Sequence, residues 1–221
     1  PNFSNPLGHC MSDGQKQALV ELTARAGVPL IEDDIYGDLG HHHQRPGMAK
    51  AFDTAGNVLY CSSVSKTLSP GLRVGWIVPG RFREQVLYRK YVTNLATATV
   101  PQLAVADLLE SGRYDRHLRT LRGELARAVQ RMTAAVSHYF PPGTRITRPE
   151  GGFVLWVELP DHIDSFDLSQ RALQDGISIA PGPIFSATGK YRNFIRLSCA
   201  CVWNDRTEQA LLRLGQMMRT R

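Results

Sequence analysis

Long apolar runs are missing from this sequence, and so are internal repeats and low-complexity tracts. No stretch approaches the roughly 20 apolar residues that a membrane-spanning helix needs, which excludes a helical span. The opening residues, Pro1 to Pro6, hold no basic segment followed by an apolar one, so no signal peptide is expected. Methionine is absent from position one, and on that ground the chain reads as a piece of a longer protein. Cysteine is scarce: Cys10, Cys61, Cys199 and Cys201 are the four in 221 residues. Their spacing makes no zinc pattern, because Cys199-x-Cys201 has no second pair. Buried, reduced thiols in a cytoplasmic protein are the expectation. On a strand, Cys199 and Cys201 would face the same side.

What is present is ordinary globular material. The chain is 43% hydrophobic and 21% charged, enough for a sizeable core and too apolar for disorder. The net charge of +6 permits contact with nucleic acid or phosphate. The basic residues are spread out, however, and the densest stretch, Arg113 to Arg131, alternates with apolar positions. It reads as the wet face of a long helix rather than a nucleic-acid site. His41-His42-His43 has no carboxylate or thiolate cluster beside it and reads as a solvated loop, with no metal site expected.

The pattern along the chain is that of an α/β fold. Ser12 opens a helix with Gln15 completing a capping box; Leu19, Leu22 and Ala26 supply its apolar stripe, and Gly27 stops it. Short apolar strands are predicted at Val28–Ile31, ending in Glu32-Asp33-Asp34, at Val58–Cys61, and at Val74–Val78. Their continuous apolar character predicts a mostly parallel sheet buried on both faces, with helices on each. A loop is predicted over about 37–47. Helical spacing follows near 81–94, 99–112 and 114–138, until Pro141-Pro142-Gly143 breaks it. An α+β pattern comes next: strands at Gly152–Val157, Ile177–Ile179 and Phe194–Ser198, a helix from Ser165 to about Gln174, and a last helix from near Asn204 with Leu211, Leu214 and Met218 on one face. Phe153 and Trp156 read as core. The division expected is residues 1–100 as part of a large domain, and 101–221 as linking helices plus a smaller α+β domain.

The chemistry concentrates in Ser63-Val64-Ser65-Lys66-Thr67-Leu68-Ser69-Pro70-Gly71-Leu72-Arg73-Val74-Gly75. One lysine stands at a strand end among hydroxyls, with an arginine seven residues on. A nearby cation and partial desolvation favour the free amine, the nucleophilic form. Hydroxyls and a guanidinium make a phosphate cradle. Taken alone, the same residues suit a surface lysine beside a serine-rich turn.

This segment resembles the lysine motif of the fold-type-I pyridoxal 5′-phosphate (PLP) enzymes, the aspartate aminotransferase superfamily. Hydroxyls stand three residues and one residue before the lysine, and Gly-x-Arg-x-Gly follows. The resemblance implies that Lys66 forms the Schiff base (the internal aldimine) and moves the proton, and that Ser63, Ser65 and Arg73 hold the phosphate. Three more segments stand in the family's order. Asn5-Pro6-Leu7-Gly8 is similar to the segment whose Asn bonds the cofactor's ring oxygen. Asp33-Asp34-Ile35-Tyr36 is similar to the Asp-x-x-Tyr segment, which implies that Asp33 pairs with the pyridine nitrogen and that Tyr36 shares the ring oxygen; Asp34 stays open as the competing carboxylate. Asn193–Ser198 is similar to the segment whose arginine, here Arg196, binds a substrate α-carboxylate. The fold implied is the C-terminal part of a PLP-transferase large domain plus a small α+β domain.

Pro1–Gly8, Tyr60–Trp76 and Gly176–Ser186 further resemble the aminotransferase-like domain of MocR-type regulators of the GntR group. The sequence departs from that pattern at Leu197-Ser198-Cys199-Ala200, which lies between the regulator and aminotransferase forms. The narrower resemblance implies a cytoplasmic homodimer that senses a small amine or amino acid and reaches DNA through a separate N-terminal domain. A stand-alone aminotransferase is the alternative, and whether the chain is an enzyme stays open. A relic that no longer binds PLP is a third reading, against which the full set of matched residues stands.

Overall fold

In the computed structural model, residues 2–42 and 45–219 are described; His43 of the histidine run lies outside them. The chain packs as two compact units. One comprises residues 1–4 and His9–Arg122, and the other Asn5–Gly8 and Gly123–Arg221.

The first unit is built on a three-stranded sheet in the order β1 (Leu30–Asp33), β2 (Val58–Ser63), β3 (Gly75–Val78). β1 and β2 are parallel, with Asp33 beside Cys61. β3 is antiparallel to β2, with Gly75 beside Ser63. Glycine is required there: a Cβ on Gly75 would lie 2.9 Å from the Ser62 carbonyl oxygen and 3.0 Å from Ser63 Cβ. Helix α1 (Asp13–Arg25) starts at the expected capping box, with the Ser12 side chain accepting from the Gln15 backbone N–H.

The buried face of α1 is not the expected one. Leu22 and Ala26 are exposed, and Lys16 and Val20 face inward. Val20 packs with Ala49 and Val58, while the Lys16 ammonium donates to the Gly47 carbonyl at 2.8 Å. A lysine stem is apolar and its head needs only a good acceptor, so pattern reading by hydrophobicity assigns the face wrongly.

The sheet's exposure is that of a chain expected to hold only part of a large domain. In β2 burial alternates, with Val58, Tyr60 and Ser62 inward. Ile31 is 69% exposed and all of β3 is exposed. A cleft of about 610 Å³ runs along Ile31, Leu59, Ile77 and the helix α2 (Arg83–Asn94). The predicted loop over 37–47 begins with a 3-10 turn, Gly37–Leu39, that buries Leu39. Helix α3 (Thr99–Glu110) and the long helix α4 (Arg113–Tyr139) lie where the periodicity places them.

The second unit holds a sheet in the order β4 (Arg145–Ile146), β5 (Val154–Glu158), β7 (Phe194–Ser198), β6 (Ala180–Pro181). Helix α5 (Ser165–Gln174) and helix α6 (Asp205–Met217) cover it, α6 capped by Asn204 with Leu211, Leu214 and Met218 inward. Leu155, Val157, Ile195 and Leu197 meet these helices and Val136 in one core. Trp156 is core, as expected, packed against Phe185, Tyr191 and Phe194. Ile177–Ile179 is not a strand; pairing with β7 begins only at Ala180. Cys199 and Cys201 lie beyond the end of β7, so strand alternation does not apply to them. Cys199 is buried, and burial pushes its thiol up to about 12, whereas Cys201 is exposed.

Asp53 holds the entry to β2. Its side chain is fully buried beside Lys50 Nζ at 2.8 Å and accepts from the backbone N–H groups of Asn57 and Val58, both at 2.9 Å. Burial pushes its pKa up, but the hydrogen bonds from Lys50, Val58 and Asn57 outweigh this and hold it below the usual carboxylate value. Its stabilisation is therefore present above the unfolded pKa of about 3.9 and is lost as pH falls through the lower folded value. Asp53→Asn should cost about 2 kcal/mol in urea unfolding at neutral pH, and the difference from the parent should shrink below about pH 4. A difference independent of pH would rule out the ionised role.

Candidate functional site

β1 and β2 are parallel neighbours, so their carboxyl ends lie side by side, the usual place for a ligand in such sheets. β1 ends in Asp33, and Asp34 follows it directly. β2 ends in Ser63 and runs straight into the turn Val64–Leu68, closed by a Leu68 N–H to Val64 carbonyl bond of 2.8 Å. Lys66 sits in that turn, exposed, and its amine makes no hydrogen bond or ion pair among the described residues. The Ser63 hydroxyl accepts from the Ser65 N–H at 3.3 Å, which folds the two hydroxyl residues together before the lysine. Arg73 follows the 3-10 turn Pro70–Leu72 in the left-handed region, at φ 54° and ψ 33°. This conformation costs a non-glycine residue on the order of 1 kcal/mol. Its guanidinium is exposed, with one bond to the Pro70 carbonyl at 3.3 Å.

The two adjacent aspartates have opposite environments. Asp34 is buried and fully engaged: it accepts from Asn2 Nδ2 at 2.9 Å, from the Tyr60 hydroxyl at 3.2 Å and from Arg45 Nη2. Burial opposes the Arg45 charge, but Asp34 and Asp38 more than offset it and its pKa is raised. Burial, then the Asp34 charge, pushes the Tyr60 hydroxyl up. Asp33 is exposed and makes no side-chain hydrogen bond among the described residues. Burial raises the pKa of the Cys61 thiol, and the Asp33 charge adds to this. One carboxylate is committed to the fold and one is open to a ligand. Tyr36, half-buried, caps the 3-10 turn that follows β1.

Two of the expected residues meet in the second unit. Arg196 Nη1 donates to Asn5 Oδ1 at 3.0 Å, although the two are 191 positions apart. The guanidinium lies over the Phe185 ring, 5.3 Å from its centroid. Arg196 Nε is buried and has no partner among the described residues. An unsatisfied buried donor on a guanidinium lacks an acceptor, and a carboxylate is the acceptor that matches its fork.

Sequence reasoning missed the groups that hold the lysine turn. Thr67 is 3% exposed; the Tyr114 hydroxyl hydrogen-bonds its Oγ1 at 3.0 Å, and His117 Nε2 donates to its carbonyl at 2.7 Å. The Tyr114 hydroxyl also reaches Asp38 Oδ2 at 3.3 Å, and burial pushes it up to about 12. Tyr114 is 47 positions from Thr67, and no local spacing signals such a pairing.

Comparison with known proteins bears on this geometry. The model of the family described as aminotransferase class I and II matches residues 1–214. The chain belongs to the aminotransferase class I and II family. It is 40% identical to the HTH-type transcriptional regulator YjiR of Escherichia coli K12, over 98% of this chain and 46% of the relative. Among solved structures it is similar to kynurenine aminotransferase of Pyrococcus horikoshii, with TM-score 0.91 and 31% identity over 99% of this chain and 55% of that one. It is also similar to the α-aminoadipate aminotransferase LysN of Thermus thermophilus, solved with N-(5′-phosphopyridoxyl)-L-leucine, with TM-score 0.90 and 30% identity over 99% of this chain and 57% of that one. The chain spans about half the length of these relatives, and its fold is that of the corresponding part of an aminotransferase. No helix among the described residues is long and apolar enough to cross a membrane.

The aminotransferase aspartates can be separated by measurement. Asp34→Asn should destabilise by about 2 kcal/mol, because it removes the charged acceptor shared by Arg45, Tyr60 and Asn2. Asp33→Asn should stay within about 0.5 kcal/mol of the parent. Equal unfolding midpoints in urea would contradict the division of labour between them.

Proposed function

We propose that this chain is the PLP-binding effector part of a transcriptional regulator, with the cofactor held covalently on Lys66. The observation that carries this reading is the open lysine in a locked turn, beside an open carboxylate on the adjacent parallel strand. The identity to an HTH-type regulator supports the regulatory side. The stand-alone aminotransferases that share the fold at about 30% identity support the alternative, an amino acid aminotransferase.

The donor set suits the cofactor. Ser63, Ser65 and Arg73 offer two hydroxyls and a guanidinium to a phosphate. Asp33 accepts a hydrogen bond from a protonated pyridine nitrogen and keeps it protonated. Tyr36 would bind the ring oxygen; Asn5, to which the family resemblance gives a share in that role, lies in the second unit beside Arg196. When bound, PLP supplies an aldehyde carbon and an electron-withdrawing ring. Lys66 Nζ is the amine that would hold the cofactor covalently, and the same nitrogen would hold or move a proton. Arg196, with its free Nε, binds the α-carboxylate of an amino acid ligand.

The regulator is proposed as a cytoplasmic homodimer that responds to a small amine or amino acid and contacts DNA through a separate domain.

Two measurements test the reading in the full-length protein. Borohydride reduction after PLP loading, followed by peptide mapping, should place the label on Lys66, and Lys66→Ala should carry none. A label elsewhere, or none in the folded parent, would refute the assignment. Arg196→Ala should weaken an α-amino acid by about tenfold or more while leaving the matching decarboxylated amine within about twofold, since a charged hydrogen bond contributes about 1.5–3 kcal/mol. Equal losses for both would exclude a carboxylate role.

A further inference from the structure

Lys66 and Asp33 share an arrangement that neither motif explains. Each is exposed, with no side-chain hydrogen bond among the described residues, and each is followed directly by a buried residue whose polar atoms are fixed. After Lys66 comes Thr67; after Asp33 comes Asp34. The two buried residues belong to one polar chain. From Thr67 Oγ1 it passes to the Tyr114 hydroxyl and on to Asp38 Oδ2. Asp38 Oδ1 accepts from Arg45 Nε at 2.7 Å. Arg45 Nη2 donates to Asp34 Oδ2 and to the Tyr60 hydroxyl, the latter at 3.0 Å. Two further groups on α4 brace this chain at Thr67 and at Asp38. His117 Nε2 donates to the Thr67 carbonyl, and Arg122 Nε donates to the Asp38 carbonyl at 2.7 Å.

We infer that Tyr114, with Thr67 and Asp38, is a positioning relay that fixes Lys66 relative to Asp33 and so sets how firmly the cofactor is held. This rests on the assignment of PLP to Lys66. A lysine side chain has four rotatable bonds and no partner here, so its amine is directed only by the backbone from which it springs. That backbone is held on one side by the buried Val64 and on the other by Thr67. Thr67 in turn depends on a hydroxyl whose other contact is a charged carboxylate, the stronger class of hydrogen bond. Tyr114 touches neither cofactor nor ligand in this assignment; it acts through Thr67.

The test uses the full-length protein loaded with PLP. Tyr114→Phe and Thr67→Val each remove one hydroxyl and keep the shape. Each should speed PLP dissociation about tenfold, the change expected for one hydrogen bond to a charged network, and each should shift the pH midpoint of the visible absorbance band. The double variant should lose no more than either single one, as for two residues acting in one chain. Thr67→Ser keeps the hydroxyl and should behave like the parent. A merely structural role would lower the urea midpoint and leave the pH midpoint in place, which overturns the inference. Dissociation and pH midpoint within about twofold and 0.2 units of the parent would overturn it too. Should Tyr114→Phe fail to fold, Thr67→Val against Thr67→Ser decides alone. A parent that takes no label on Lys66 refutes both this inference and the functional reading; a labelled parent with indifferent variants refutes the relay only.

Discussion

The buried pair of Asp34 and Arg45 is the contact on which the first unit's chemistry depends. A carboxylate taken out of water must be paired and hydrogen-bonded, and Asp34 meets that condition through Arg45, Tyr60 and Asn2. With Asp34 committed to the interior, strand alternation turns Asp33 outward at the carboxyl end of β1. Through Asp38 the same arginine reaches Tyr114 and the lysine turn. One ion pair thus ties the carboxyl end of one strand to the turn that carries Lys66 after the next.

The second unit solves a different problem. Its core is assembled from β5, β7, α4, α5 and α6, and it presents Arg196 at the edge of an aromatic cluster of Trp156, Phe185, Tyr191 and Phe194. The ring of Phe185 and the Asn5 amide hold the guanidinium while its Nε has no partner among the described residues. A guanidinium is weakly hydrated and planar, so it tolerates a ring beneath it. A buried donor left unsatisfied is tolerated in native proteins where a ligand completes it.

Elements with strong local signals were legible in the sequence. The capping box of α1, the Asn204 cap of α6, the limits of α5 and the strand Phe194–Ser198 all rest on interactions within a few residues. The inward face of α1 was not legible, because Lys16 is held by a carbonyl 31 positions away. Ile31 and all of β3 are exposed in this chain; apolar composition shows what a face can bury and not what covers it. Ile177–Ile179 has strand composition, yet pairing with β7 starts only at Ala180.

For the site, the resemblance to a family motif brought Ser63, Ser65, Lys66 and Arg73 together, and it was legible because they lie close along the chain. Residue types and their order were thereby determined by the sequence, and with them the family. Which aspartate is free, which groups lock the lysine turn and what holds Arg196 were decided by tertiary structure. Those facts depend on partners such as Arg45, Tyr114 and Asn5, set at separations of 11, 47 and 191 positions. Burial and hydrogen-bond satisfaction are properties of the folded surroundings, and no pattern of neighbours along the chain encodes them.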